Sequence, residues 1–360
     1  MLSMDVSAKI TGIKYSPFLC RDLNIFPIEY LDVALSTDGS FVLNVDKKGQ
    51  IALSWWVSPK RTRSYPYARV YDSLGFQGKK VTIIPIMKDE GKEGDRDFLQ
   101  WDTISLMSLL GVYTIISYYS SAEKSSRYMH KITNQRFDMI HIKKEINNIL
   151  CYQSDALHWN LAQIEKVGEI GQRALGSYEK ISETLGIEMH SRESAEKRVD
   201  ELLKGKKNFM TLSRTLAKKA QYRESVTIQP KEKLSGIKAT LTIKNYLGGY
   251  YFFTCDEIII EKETICLIEG KQSKQSQIPS LEDIKDGLLK MILLTNLKDV
   301  KIGNTKYMPI PILKLTSDMK FSRESLRKSQ ADKLLLLKKE AEGNNFQVLI
   351  NGTNLQEIKI

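Results

Sequence analysis

Apolar positions alternate along Ser40–Val45 and Gln50–Val57, on either side of Asp46-Lys47-Lys48-Gly49, and predict a β-hairpin. Val81–Met87 is a further apolar run. Pro85 lacks an amide donor and points to an edge or irregular strand there. A glycine-rich charged loop covers Lys88 to Asp97. A helix is expected from Asp102 or Thr103 to Gly111, followed by a buried strand over Val112–Tyr119.

From about Asn147 to Arg223 the period lengthens and prolines vanish. Ser154 is placed to cap one long helix with Leu157, Leu161, Ile164, Val167 and Ile170 at spacings of three and four, stopped at Gly186. Ser191 opens a second helical pattern containing Val199, Leu202 and Leu203. Phe209 to Ala220 reads as a third, basic helix; between Leu203 and Arg223 there are seven basic residues and no acid, so this stretch carries a strongly positive face. After Pro230 alternation returns. Strands are expected at Ile237–Ile243, Tyr250–Ile260 and Thr264–Lys271, punctuated by Asn245–Gly249 and by Glu261-Lys262-Glu263. Ser280 is an N-cap with Asp283 three residues on, and the helix behind it puts Leu281, Ile284, Leu288, Met291 and Ile292 on one face. Tyr307–Leu315 reads as a strand, Ser322 to Ala341 as a basic helix and Phe346–Ile350 as a last strand. No internal repeat or low-complexity tract is present.

Composition narrows the class. The chain has 360 residues, 42% of them hydrophobic, which excludes a mainly disordered protein. Cys20, Cys151, Cys255 and Cys266 have no CxxC spacing, against a disulfide scaffold or zinc cluster. No secretory signal is expected, and Ile104–Tyr119 is too short and polar to span a bilayer, so a soluble cytoplasmic protein without a membrane partner is expected. The net charge of +11 leans toward a polyanionic partner, nucleic acid first.

Candidate chemistry lies between Ile237 and Leu315. If the Tyr250–Ile260 and Thr264–Lys271 strands turn through Glu261–Thr264, Ile260 opposes Ile265, Ile258 opposes Leu267, and Asp256 opposes Glu269. Opposed residues share a face, and Lys271 lies two positions beyond Glu269 on it. Two carboxylates and an ammonium thus end an otherwise apolar row. Opposed carboxylates repel, and a hard divalent ion removes that cost. Mg²⁺ takes one or two carboxylates and keeps waters for a substrate phosphate. Lys271 is placed to hold the attacking water or the phosphate's developing charge. The plain alternative is a surface hairpin whose Glu and Lys are ordinary cross-strand partners.

The run from Thr254 through Asp256 to Glu269-Gly270-Lys271, with a helix behind it, resembles the PD-(D/E)xK nuclease signature, with Cys255 where the signature has proline. The resemblance covers about 80 residues, Ile237 to Leu315. The whole layout is similar to type II restriction endonucleases. It implies an α/β (α+β) fold with a restriction-endonuclease-like mixed-sheet core at 225–320. Around it stand an N-terminal mixed α/β region at 1–120, a helical subdomain at 121–224 and a C-terminal basic helix and strand at 321–360. It implies Asp256 and Glu269 as Mg²⁺ ligands, Lys271 as the catalytic lysine, and Glu224 as a further candidate ligand. It further implies a prokaryotic, sequence-specific endonuclease acting on double-stranded DNA as a homodimer, leaving 5′-phosphates, with a cognate DNA methyltransferase. Two other readings stay open: a structure-specific repair or recombination nuclease of the same fold, and a non-catalytic DNA-binding protein with a decayed nuclease core.

A rival acid pair, Asp72 with Glu90-Gly91-Lys92, is disfavoured because Glu90 lies past the end of its strand. Lys60, Arg61, Arg63 and Arg69 alternate with Tyr65, Tyr67 and Tyr71, either as DNA contacts or as an exposed strand with a tyrosine face. Lys218, Lys219 and Arg223 are candidate backbone contacts, or simply a solvated face. The tail helix carries Arg323, Arg327, Lys328, Lys333, Lys338 and Lys339 and is weighed the same way, its Leu334–Leu337 run implying one packed face. His130, His141, His158 and His190 have no HxxxH or HxH spacing, which disfavours histidine-based nuclease chemistry. No GxxxxGK[ST] or GxGxxG run is present. Trp55, Trp56, Trp101 and Trp159 read as core or interface residues.

Overall fold

A computed structural model describes residues 4–45, 48–60, 64–203 and 237–358, with Thr211 and Thr215. Contacts group the chain into two units, Met1–Arg21 with Arg214–Ile360, and Asp22–Ser213. In chain order, β1 (Met4–Ile10) belongs to the first unit. The second unit begins with β2 (Ile25–Pro27), α1 (Leu31–Thr37), β3 (Ser40–Asn44) and β4 (Gln50–Trp55). Then come α2 (Ser64–Ser73), β5 (Lys79–Pro85), β6 (Met87–Asp89), β7 (Arg96–Phe98), α3 (Trp101–Leu109) and β8 (Val112–Ser117). A ribbon of β9 (Tyr119–Lys124) and β10 (Ile132–Phe137) leads to α4 (Met139–Cys151), α5 (Ala156–Glu165), α6 (Val167–Leu185) and α7 (Arg192–Leu203). The first unit resumes with β11 (Ile237–Asn245), β12 (Tyr250–Glu261), β13 (Thr264–Ser273), α8 (Leu281–Leu294), β14 (Lys298–Ile302) and β15 (Thr305–Lys306). It ends with β16 (Met308–Ser317), α9 (Lys328–Asn344), β17 (Gln347–Ile350) and β18 (Thr353–Asn354). The molecule is therefore a mixed α/β protein. Among the described residues no helix is long and apolar enough to cross a membrane.

In the second unit a five-stranded sheet runs β2-β3-β4-β5-β8. The predicted hairpin forms, with Asn44 opposite Gln50. β5 is an interior strand between β4 and β8, not an edge. Pro85 is its last residue, so the missing donor falls where the ladder ends. Every residue of β8 is buried. The expected tyrosine-faced strand at 60–71 is instead helical from Ser64, with Pro66 tolerated in the first turn and Tyr67 and Tyr71 buried in the core. The single long helix expected after Ser154 divides at Lys166 into α5 and α6. Its N-cap is Asp155, whose carboxylate accepts from the His158 amide, and Gly186 closes α6 in the left-handed conformation. Trp56, Trp101 and Trp159 are buried, as expected of core residues.

The first unit is built on a nine-stranded mixed sheet, β15-β14-β1-β11-β12-β13-β16-β17-β18. β1 lies parallel to β11, with Met4 beside Ala239. β13 is flanked by β12, antiparallel, and β16, parallel. Its Ile265 and Leu267 are fully buried because both neighbours and α8 cover that face. α8 starts as predicted: the Ser280 hydroxyl accepts from the Asp283 amide, and Ile284, Leu288, Met291 and Ile292 are buried. In α9, Leu334 and Leu337 are buried while Leu335 and Leu336 face outward. The Glu340 carboxylate at its far end accepts from the Tyr15 hydroxyl and the Phe18 and Leu19 amides, which ties the N-terminal segment to this helix.

Candidate functional site

The β12–β13 ladder keeps the counted register: Glu261 pairs Thr264, Ile260 pairs Ile265 and Ile258 pairs Leu267. Regular pairing reaches Glu257 and Ile268, one step short of Asp256 and Glu269. On its other side β12 bulges. Ile237 of β11 pairs Ile258, but Ala239 pairs Cys255, so three steps on β12 match two on β11. A bulge re-aims the side chains it contains. Asp256 and Glu257 lie in this bulged stretch and make different contacts. Glu257 is buried against Lys314 at 2.8 Å, whereas the Asp256 carboxylate accepts from the Gly270 amide at 2.7 Å.

Glu269 is 2% exposed, under α8. Its Oε1 lies 3.0 Å from the Lys271 ammonium and its Oε2 lies 2.7 Å from that of Lys290. Lys271 is also hydrogen-bonded to Asp286. Asp286 and Lys290 stand four residues apart on α8, one turn of helix, and Gly287 between them lets the helix approach. A Cβ there would come within 2.7 Å of Leu313 and 3.4 Å of Lys271. Burial by itself would raise the Glu269 carboxyl; Lys290 and Lys271 outweigh it and hold the group below the usual carboxylate range. Burial would lower both lysines, but Glu269 and Asp286 raise Lys271, and the same carboxylates with Asp256 raise Lys290. Glu269, Lys271 and Lys290 are thus charged at neutral pH. Cys255 is driven up by burial and by the nearby Glu269 and Asp256, so its thiol is protonated and unreactive.

Asp256, Glu269 and Lys271 accordingly share one neighbourhood, joined by two residues that strand counting did not reach, Asp286 and Lys290. Their signal was present: a carboxylate and an ammonium at i and i+4 flanking a glycine on a helix otherwise rich in apolar residues. Such pairs are most often solvated surface pairs, so the spacing alone does not single this one out.

Among the described residues no group of three or more His, Cys, Asp or Glu is placed to hold a metal ion. An ion here would take two protein carboxylates, Asp256 and Glu269, the number a hard cation such as Mg²⁺ commonly accepts. The donors suit it and so does the charge, because three carboxylates against two ammonium groups leave −1. A cavity of about 10 Å³ beside Glu269 and Lys290 is lined otherwise by Thr254, Cys255 and apolar side chains of β11, β12 and α8, with Asp256 outside it. Fit requires one change, since both Glu269 oxygens are held by lysines.

Of the candidate DNA contacts, Lys60 lies 3.7 Å from Asp97 and 3.9 Å from Asp95. The Arg69 guanidinium packs over Trp55 and Tyr65 and donates to the Trp55 carbonyl, an internal role. Arg61, Arg63, Lys218, Lys219, Arg223 and Glu224, and nearly all of the predicted Phe209–Ala220 helix, lie outside the described residues. Of the rival pair, Asp72 is on α2, and Glu90 follows the end of β6 and pairs with Lys88. His190 bonds the buried Asp89 carboxylate, and the His158 ring bonds the Asp155 carboxylate that caps α5. No known protein family, curated protein or solved structure matches the chain.

Proposed function

We propose that the protein is a divalent-metal-dependent DNA endonuclease of the type II restriction kind, with Asp256, Glu269 and Lys271 as its catalytic group. The observation that carries this reading is the meeting of two carboxylates from adjoining strands with Lys271, two residues after one of them, under a capped helix. In this reading Asp256 and Glu269 hold Mg²⁺. When bound, the ion would supply charge stabilisation at the scissile phosphate and lower the pKa of a coordinated water. Lys271 stays protonated and offers an N–H to the phosphate's developing charge. Asp286 orients that ammonium by hydrogen bonding. Double-strand cleavage with one site per chain favours a homodimer on a palindromic sequence, and a cognate methyltransferase would protect the host DNA.

The test is digestion of defined, unmethylated DNA with Mg²⁺, followed by sequencing of the ends. Discrete fragments with 5′-phosphates from wild type, and none from Asp256→Ala, are expected. Smears or cutting confined to junctions would favour the structure-specific nuclease. One observation favours a second reading: Glu269 is almost wholly buried and doubly ion-paired. DNA binding with no cleavage under Mg²⁺ would make the cluster a structural clamp in a non-catalytic DNA-binding protein.

A further inference from the structure

We propose that the second unit holds a binding site for a small aliphatic amine, in the cavity between β6, α6 and the start of α7, with Glu183 and His190 as its ligand contacts. The cavity measures about 330 Å³, within the range of small-molecule sites. A His–Asp couple is built into its wall. The Asp89 carboxylate is 3% exposed, and its Oδ1 accepts from the Gly91 amide at 2.9 Å and from His190 Nδ1 at 2.8 Å. The Asp89 backbone is held as well. Its amide donates to the Tyr178 hydroxyl, its carbonyl accepts from the Gln135 side chain, and Tyr178 donates to Gln135 in turn. A carboxylate only accepts, so Nδ1 carries the donated hydrogen and Nε2 is the acceptor of the neutral ring. His190 lines the cavity, and its Nε2 has no hydrogen-bond partner among the described residues.

What the lining leaves unsatisfied sets the chemistry of the ligand. Leu175, Tyr178, Glu179, Ser182 and Glu183 recur at spacings of three and four, so one face of α6 forms a wall. Arg192, the one arginine of the lining, is engaged by Glu179 Oε1 and by Glu196. The Ser182 hydroxyl donates to the Ile187 carbonyl. Glu183 makes no hydrogen bond or ion pair among the described residues. The groups left open are therefore acceptors: the Glu183 carboxylate, His190 Nε2 and the second oxygen of Glu179. Only a ligand that brings N–H donors satisfies them, and carboxylates bind a cationic donor most strongly. Four acids, Asp89, Glu179, Glu183 and Glu188, face that single arginine in a chain whose net charge is +11. Such a cleft gathers cations and disfavours phosphates. Met87, Leu175 and Met189 add apolar wall, the methionines adapting to the shape of a hydrocarbon chain. An ammonium on a short alkyl chain meets both demands. The Asp89–His190 couple also ties the α6–α7 connection to β6, but that role makes no use of Glu183.

The test uses the full-length protein and n-butylamine as the probe, with n-butanol and butyrate as controls. The chain has four histidines, so their ring signals in a proton–carbon correlation spectrum are few, and His190→Gln assigns one of them. At neutral pH, butylammonium should shift the His190 signal saturably, butanol should bind roughly tenfold more weakly, and butyrate should leave the signal in place. Glu183→Gln, at an exposed helix position, should keep the fold and weaken amine binding by roughly tenfold. Butanol binding as well as the amine, or Glu183→Gln binding it as tightly as wild type, overturns the proposal. So does the absence of a saturable shift with every probe, which would leave the Asp89–His190 couple as a tie between elements. No DNA or metal enters the measurement, so either outcome leaves the nuclease reading to its own test.

Discussion

Glu269 shows how one residue acquires its role from its surroundings. A glutamate at the end of Ile265–Ile268 is an unremarkable strand residue until α8 covers it. Once covered, it needs cations, and Lys271 and Lys290 supply them. Glu269→Gln should abolish Mg²⁺-dependent cleavage and also destabilise the protein by about 3–5 kcal/mol in urea unfolding, because it leaves two buried ammonium groups short of a partner. A variant as stable as wild type would mean that the lysines are not held as described. Asp256→Ala has a different expected profile: it removes the hydrogen bond to Gly270 from a half-buried carboxylate, so stability should fall by about 0.5–3 kcal/mol while cutting is lost.

At the level of elements, the site is only as precise as α8 and its footing on β13 and β16. The helix begins at a serine cap that satisfies the Asp283 amide, and Ser280→Ala should cost about 1 kcal/mol, read as a shift in the denaturant midpoint at unchanged slope. The join of the N-terminal segment to α9 has a pH signature. Burial, then the charge of Glu340, raise the Tyr15 hydroxyl well above its ordinary value. A raised pKa means stability fully present below the unfolded value, about 10, and lost as pH rises through the folded one. Wild type should therefore exceed Tyr15→Phe in stability by a constant amount between pH 7 and 9, with the gap shrinking above about pH 10. A gap unchanged to pH 11 would show that Tyr15 ionises equally in both states.

For the whole molecule, the excess of Lys and Arg is the property that bears on its partner. If DNA is that partner, counterion release dominates and log K should fall linearly with log salt, by several decades between about 50 and 200 mM. A flat dependence by fluorescence anisotropy would reject the basic surfaces as a DNA groove. The long-range pairing of β1 with β11, Met4 beside Ala239, belongs to the same scale. It brings the first strand into the sheet that bears the site, and no local pattern announces it.

The amino-acid order alone was enough to specify the β12–β13 turn and register, the α8 cap and its apolar face, and the chemical identity of Asp256, Glu269 and Lys271. Each depends on periodicity or capping over a few residues, where side-chain alternation and unsatisfied amides leave few choices. Other features arose only on folding. The bulge in β12 comes from pairing with β11, the interior place of β5 from a sheet assembled over distant segments, and the entry of Asp286 and Lys290 from the close approach that Gly287 allows. The common reason is burial: which charges must be neutralised, and by which partners, is decided by what covers them, and covering surfaces come from parts of the chain that are far apart in sequence.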